Sequence, residues 1–555
     1  MSFTREYSYL MGTLRQTIRR VMSVVTATTL LPAMVPLTAQ AQAQTAAAPI
    51  TWENCPAEKL DRPGARCGHI EVPSFLTNAI FIGVGFIEVP ENYANPGGKK
   101  ITVGFIQFPN ANAEVVFTNP GGPGGGVYDW LGKKNGTRLP QELFSQFEVV
   151  GVQPRGLVGS TPMDCPSNPG SNPVDEFTNP GGALRSRCES KQPGYADQIT
   201  TENTARDWEE VRKSLKRETI NIYGLSYGTI LGSSYASLFP NRVKHTVLDS
   251  GIDPTLQWSE IMARQEPAYR DVLHQFFGYV AQNDAKYHLG TTPYAVYRKW
   301  ADAVKAQSGV TPSVEPPKAT AADLPAGTQG AGQAGVDAMN SVEPGRAQAE
   351  NAGTQLTAGG KSQQSSFLML YTHAFLPMAY KWDTIARAIA NPKLAEDDLQ
   401  SLGELDVNDA KIKAATASLQ MQQTMMCNES VTAPRANEIP RAYWTMFVSK
   451  DPFATGQLLH GSGLACQGAK RVTPGVKLDG SALKVKPLEI QGRQDPQTPY
   501  GNFSHMQAAM QSTLVTVNGP GHGHFGYDNK AVDKLVLNYL RTGKATAGEV
   551  PGYFG

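Results

Sequence analysis

The chain has 555 residues, 40% of them hydrophobic, with 50 basic and 49 acidic side chains and a net charge of +1. That length and apolar content suffice for a large buried core with room for a substantial insertion. A balance this close to neutral, 46 basic to 48 acidic once Met1–Ala41 is set aside, points away from nucleic acid or an anionic membrane surface as partner.

The first predicted element is an export signal. Arg15, Arg19 and Arg20 precede the apolar stretch Val21–Leu37, and Ala39-Gln-Ala41 supplies a small-residue cleavage site. Residues 1–41 are therefore expected to be a signal peptide, and the mature protein to be secreted or periplasmic. Pro32, Pro36 and Thr38 weaken the apolar run and argue against a membrane anchor. Six cysteines follow the signal and none precedes it. No C-x-x-C and no clustered His/Cys set is present, so neither a metal site nor a cofactor is expected. Oxidised structural bridges account for the cysteines better. Six cysteines admit about 15 pairings.

A first core segment is expected over residues 48–254. In it Glu114–Thr118 reads as a strand leading into Asn119-Pro-Gly-Gly-Pro-Gly-Gly-Gly126. Glycines there let backbone N–H groups approach a developing negative charge, as an oxyanion hole requires, and Gly122 is the candidate donor. A phosphate-binding loop fits poorly, since no Lys-Ser/Thr pair follows and no G-x-G-x-x-G register exists. Next comes the strand Thr219–Tyr223, which runs into Gly224-Leu-Ser-Tyr-Gly228 and a small-residue helix over Ile230–Phe239. This strand–turn–helix is a nucleophile elbow, G-x-S-x-G, with Ser226 as nucleophile and the amide of Tyr227 as second oxyanion donor. The glycines are needed because a Cβ at either position would strike the neighbouring strand or helix. The strand His245–Asp249 closes the segment.

Residues 255–425 are largely helical in pattern and are expected to form a lid. Within them 309–365 is rich in Ala, Gly, Pro, Ser and Gln with almost no large apolar residues, which predicts a mobile excursion unable to bury enough surface to order itself. Met421, Met425 and Met426 read as packing residues. Residues 426–542 are expected to return to the core. The strand Lys486–Gln491 precedes Asp495, and Thr513–Val517 precedes the glycine-rich loop bearing His522. A serine needs a base and an orienting acid, which follow an elbow of this kind in the order serine, acid, histidine. Asp495 and His522 are therefore the candidate acid and base. His524 is the reserve for the base, and His505, in the helical stretch Tyr500–Gln511, reads as an ordinary helix position.

These motifs resemble the secreted α/β-hydrolase aminopeptidases, the tripeptidyl aminopeptidase and proline iminopeptidase group with a TAP-like C-terminal region. The likeness covers most of the mature chain: Val89-Pro-Glu-Asn-Tyr-Ala-Asn-Pro96, the glycine loop, Phe147–Gly156, Thr200–Asp207, the elbow through Pro240, Val247-Leu-Asp-Ser-Gly-Ile-Asp-Pro254, Asp495-Pro-Gln-Thr-Pro499 and Gly519-Pro-Gly-His-Gly523. It implies an α/β-hydrolase fold, a mostly parallel sheet with helices on both faces and a large helical lid insertion. It carries Ser226, Asp495 and His522 over to a catalytic triad. It also supports pairing the cysteines as sequence neighbours, Cys55–Cys67, Cys165–Cys188 and Cys427–Cys466, since similar spacings occur in the family.

Three departures stand out. Gln153 replaces the usual Asp before Pro-Arg-Gly, which puts a charge partner for Arg155 in doubt. Ser74–Gly85 looks like an insertion between two strand-like segments. Cys466-Gln-Gly468 lacks the tryptophan common after that cysteine. The implied function is a serine hydrolase releasing short peptides from a free N-terminus through an acyl-enzyme, with a small peptide or ester as its partner. A carboxylesterase using the same triad is the alternative, and a non-catalytic binding protein on a hydrolase scaffold is the remote one. A free α-ammonium calls for a nearby carboxylate. Glu429, at a family position usually held by Asp, is the first candidate, with Glu260 and Glu266 behind it.

Overall fold

The computed structural model describes residues 47–53, 60, 65–67, 80–133, 136–166, 173–401 and 409–555. The expected signal peptide and the Cys55–Cys67 pairing lie outside the described residues. Short runs rich in Val, Ile, Phe and Thr form the strands, in keeping with their preference for a pleated, half-buried surface. These are β1 (Thr51–Trp52), β2 (Ala65–Cys67), β3 (Ile80–Pro90), β4 (Lys100–Phe108), β5 (Val115–Asn119), β6 (Glu148–Val152), β7 (Ile220–Leu225), β8 (Val243–Asp249), β9 (Leu488–Gln494), β10 (Thr513–Pro520) and β11 (Gly548–Pro551).

They make one sheet of eleven strands in the order β1-β3-β4-β6-β5-β7-β8-β9-β10-β11, with β2 on β3. The β1, β3, β4 and β6 pairings are antiparallel, and every pairing from β6 to β11 is parallel. Strands β5, β6 and β7 are buried throughout, as parallel strands covered on both faces must be. Strand β5 lies between β6 and β7, so the chain leaves it in one direction and returns on the other side. That reversal opens a crevice beyond the carboxyl ends of β5 and β7, the place where open α/β sheets bind ligands.

Helices cover both faces. Trp208 and Val211 of Thr201–Ser214, with Leu231 and Tyr235 of Tyr227–Leu238, pack on one side, and Val532, Val536 and Leu540 of Lys530–Thr542 on the other. A third apolar cluster belongs to the insert alone, built from Phe276, Phe277, Trp300, Leu368, Trp382 and Ile385. The insert thus carries its own core. Among the described residues no helix is long and apolar enough to cross a membrane.

The structure differs from expectation in three places. The helical insert does not stop at residue 425: Asp409–Glu429 runs through that point, further short helices follow to Cys466, and the next strand begins at Leu488. The disulfide Cys427–Cys466 staples this last stretch, and Cys165–Cys188 is also formed. Next, Ile80–Gly85 is the first half of β3, paired along β4 from Gly83, so that half of the supposed insertion is sheet. Its glycines hid it, since Gly83 and Gly85 exist to admit Trp52, Ile50 and Phe105 against the backbone.

The third concerns 309–365, which contains the helix Gly332–Thr357, with Val336, Ala347 and Asn351 buried and most of its other residues exposed or half-buried. Polar side chains hold it where apolar ones are missing. Asn351 Nδ2 donates to the Thr311 carbonyl at 2.7 Å, Gln348 Nε2 to the Ser313 carbonyl at 2.6 Å, and Ser313 Oγ to Asp451 at 2.8 Å. Buried hydrogen bonds substitute for the apolar area that composition said was lacking.

Arg155 has a partner despite Gln153. Its guanidinium makes two bonds to Asp207, Nε at 2.8 Å and Nη2 at 2.6 Å, with both groups buried. Gln153 accepts from the Val127 N–H at 2.8 Å and donates to the Val158 carbonyl at 2.7 Å, so it bridges two loops instead. Replacing Arg155 by Met should destabilise the fold by about 3–5 kcal/mol, because Asp207 would be left buried and uncompensated; denaturant melts check this.

On β9, Glu489 is fully buried and bonded to Ser512, with its other oxygen unpartnered. Burial pushes its carboxyl from 4.5 up to about 8. The fold prefers the protonated form, so this contribution is complete below pH 4.5 and is lost as pH rises to about 8, at roughly 1.4 kcal/mol per pH unit. Glu489→Gln should therefore gain thermal stability over the parent at pH 8.5 and little at pH 5.

Candidate active site

Strand β7 ends at Leu225 and the helix Tyr227–Leu238 starts two residues later, so Ser226 must reverse the chain alone. It does so at φ +58°, ψ −124°, a left-handed conformation rare outside glycine that costs of order 1–3 kcal/mol. Three hydrogen bonds pin it: its N–H donates to the Asp249 carbonyl at 2.9 Å, and its carbonyl accepts from the Thr229 N–H at 2.8 Å and from Thr229 Oγ1 at 2.6 Å. A Cβ at Gly224 would stand 2.1 Å from the Gly228 carbonyl oxygen, and one at Gly228 2.8 Å from that of Asn119. Both glycines are therefore obligatory, as the elbow pattern requires.

Beyond β9, the Asp495 carboxylate accepts from the N–H groups of Gln497 and Thr498 at 2.8 and 2.9 Å and from Thr498 Oγ1 at 2.7 Å. The Nδ1 of His522 lies 2.9 and 3.0 Å from its two oxygens. Burial pushes this carboxyl up, but His522 and the Thr498 bonds outweigh it and hold it below the ordinary aspartate value. With Nδ1 committed to Asp495, Nε2 is the free nitrogen of the ring. The His522 N–H donates to the Pro377 carbonyl of the insert at 2.8 Å.

Asp495 and His522 are thus in direct contact. Ser226 Oγ makes no hydrogen bond to His522 among the described residues; the two loops adjoin where the Leu225 side chain lies against Gly523. Such bonds commonly tighten only when substrate is bound.

The glycine loop rests on the elbow: a Cβ at Gly121 would meet Ser226 Cβ at 2.7 Å and the Tyr227 nitrogen at 3.2 Å. Gly121 spends its own N–H on Asn119 Oδ1 at 2.9 Å, while the Gly122 N–H has no acceptor among the described residues. Tyr227 is the first residue of its helix, so its N–H has no intrahelical partner. From the insert, Ser418 Oγ donates to the Gly124 carbonyl at 2.8 Å and covers the loop.

The three acidic candidates are placed differently. Glu429 is buried beside the elbow, accepting from the Thr201 N–H at 2.7 Å and from Trp258 Nε1 at 3.2 Å, and burial raises its carboxyl despite these bonds. Glu260 completes a capping box with Gln257 at the start of the helix Trp258–Gln282. Glu266 pairs with Arg441. His505 bonds Asp253 at 2.7 Å. His524 is buried against Gly492 with Nε2 unpartnered.

Sequence reasoning gave no role to Asp249 and Ser250. The available signal was an acid ending an apolar strand that lies between the elbow and the strand of the acid.

Comparison with known proteins gives a consistent assignment. An α/β hydrolase fold model matches residues 114–324, and a TAP-like protein model matches 451–551. The chain is therefore an α/β-hydrolase of the serine hydrolase class. It is 31% identical over 296 residues to tripeptidyl aminopeptidases of Streptomyces coelicolor and Streptomyces lividans, covering 47% of this chain and 49% of theirs. It is 31% identical over 227 residues to the serine protease Hip1 of Mycobacterium tuberculosis, covering 38% and 43%. A carboxylesterase B of the same organism is 26% identical over 216 residues, covering 36% and 42%. The chain spans about half the length of the curated relatives it matches. Its likeness to the tripeptidyl aminopeptidases covers under half of the chain, and its C-terminal region matches the TAP-like model.

Gly224→Ala should cost about 2–3 kcal/mol through backbone overlap with Gly228. The expected readout is a lowered melting temperature together with lost reactivity of Ser226.

Proposed function

We propose that the protein is an extracytoplasmic serine exopeptidase that releases short peptides from a free N-terminus. The observation that carries this reading is the Asp495–His522 contact, held on loops that adjoin a serine in the strained elbow conformation. Ser226 Oγ attacks the scissile carbonyl carbon while His522 Nε2 takes its proton. The Gly122 and Tyr227 amides receive the oxyanion, and Asp495 stabilises the imidazolium. The carbon–nitrogen bond then breaks, the leaving amine takes the proton from His522, and an acyl-enzyme remains. Water attacks it, with His522 again accepting a proton, and the acid product leaves as the Ser226 hydroxyl is restored.

Glu429 suits the amine end of the substrate. Its charge is buried beside Tyr227, the neighbour of the nucleophile, where burial disfavours ionisation. An incoming ammonium would supply the missing counter-charge. The lid, with its own core, favours small substrates over folded proteins. The two disulfides support an oxidising compartment.

The test is to compare a free-amine tripeptide p-nitroanilide, its N-acetyl form and a p-nitrophenyl ester. N-acetylation should lower kcat/KM by about a hundredfold or more, and fluorophosphonate labelling should vanish in Ser226→Ala. Equal rates on blocked and free peptides would sink the exopeptidase reading. Turnover of the ester alone would favour the carboxylesterase instead.

A further inference from the structure

We propose that Asp249 and Ser250, at the carboxyl end of β8, are positioning residues that hold the His522 loop against the elbow. The inference rests on the serine hydrolase reading above. Strand β8 lies between β7 and β9, with Asp249 opposite Leu225 on one side and Ile490 on the other. Its last residues therefore sit between the strand of the nucleophile and the strand of the acid.

The backbone serves those two neighbours. The Asp249 carbonyl accepts from the Ser226 N–H at 2.9 Å, and the Ser250 N–H donates to the Ile490 carbonyl at 2.8 Å. The side chains serve the third loop. The Asp249 carboxylate accepts from the N–H of His524 at 3.0 Å and of Phe525 at 2.9 Å, and from the Tyr223 hydroxyl at 3.1 Å. Ser250 Oγ accepts from the Gly523 N–H at 2.8 Å. Three consecutive amides following His522 thus converge on two adjacent side chains.

Asp249 is fully buried, and no cation pairs with it among the described residues. Such a carboxylate is costly unless donors surround it, and these donors are mostly the backbone of the histidine loop. Ser250 itself adopts φ +57° to present its hydroxyl there. One residue further on, the Gly251 N–H donates to Gln491 Oε1 at 2.8 Å, and Gln491 Nε2 to the Thr498 carbonyl at 2.6 Å. Thr498 in turn holds Asp495. A three-residue turn therefore touches the supports of all three triad members. Neither Asp249 nor Ser250 contacts substrate in this scheme; they act through the placement of His522.

The experiment compares Asp249→Ala, Asp249→Asn and Ser250→Ala with the parent. It measures kcat, KM, the second-order rate of fluorophosphonate labelling, melting temperature, and the downfield proton resonance of the His522–Asp495 hydrogen bond. Asp249→Ala should lose about a hundredfold in kcat and labelling rate with KM nearly unchanged, and its downfield resonance should broaden. Asp249→Asn, which keeps the shape and one acceptor, should recover part of the loss. Ser250→Ala removes a single acceptor and should lose about tenfold.

Rates within twofold of the parent in folded Asp249→Ala, or losses explained by the unfolded fraction with the resonance intact, would overturn the inference. Should Asp249→Ala fail to fold, Ser250→Ala decides on the same criteria. Absence of labelling in the parent, or labelling that survives Ser226→Ala, would instead bring down the hydrolase reading, and this inference with it.

Discussion

The site depends on one backbone constraint, the reversal of chain direction at Ser226 within a single residue. A left-handed serine is unfavourable by itself and persists because its surroundings leave no alternative. The Asp249 carbonyl holds its N–H, Thr229 holds its carbonyl, and Gly224, Gly228 and Gly121 clear the space around it. The crevice then follows from topology. Strand β5 stands between β6 and β7, so the glycine loop and the elbow emerge side by side. The parallel succession β7, β8, β9, β10 lines up the loops that carry Ser226, Asp249, Asp495 and His522 on the same sheet edge.

Much of this is legible in the sequence. Strand–turn–helix signals around Ser226 marked the elbow because a glycine on each side of a serine has a steric meaning that few other contexts share. Asp495 and His522 were legible because each sits just past a short apolar strand, and chain order assigns them roles. The fold brings the two side chains into contact, and their catalytic roles belong to the proposal.

What remained hidden was hidden for physical reasons. The stretch 309–365 read as unable to order because composition counts apolar area and not hydrogen bonds; Asn351, Gln348 and Ser313 supply those bonds at positions no periodicity announces. Ile80–Gly85 escaped notice because its glycines break the alternation of a strand to admit neighbouring side chains. Asp207 as the partner of Arg155 lies 52 residues away, beyond the reach of local pattern. Glu260 and Glu266 looked like free carboxylates, and only the fold reveals a helix cap in one case and an ion pair in the other.

The hydrogen bond from the His522 backbone to Pro377 reaches across from the sheet to the insert. The placement of the imidazole is consequently tied to the placement of the insert. A displacement that carried Pro377 away would strip an anchor from the loop that bears His522, so a rearrangement among helices outside the sheet would be felt at the ring.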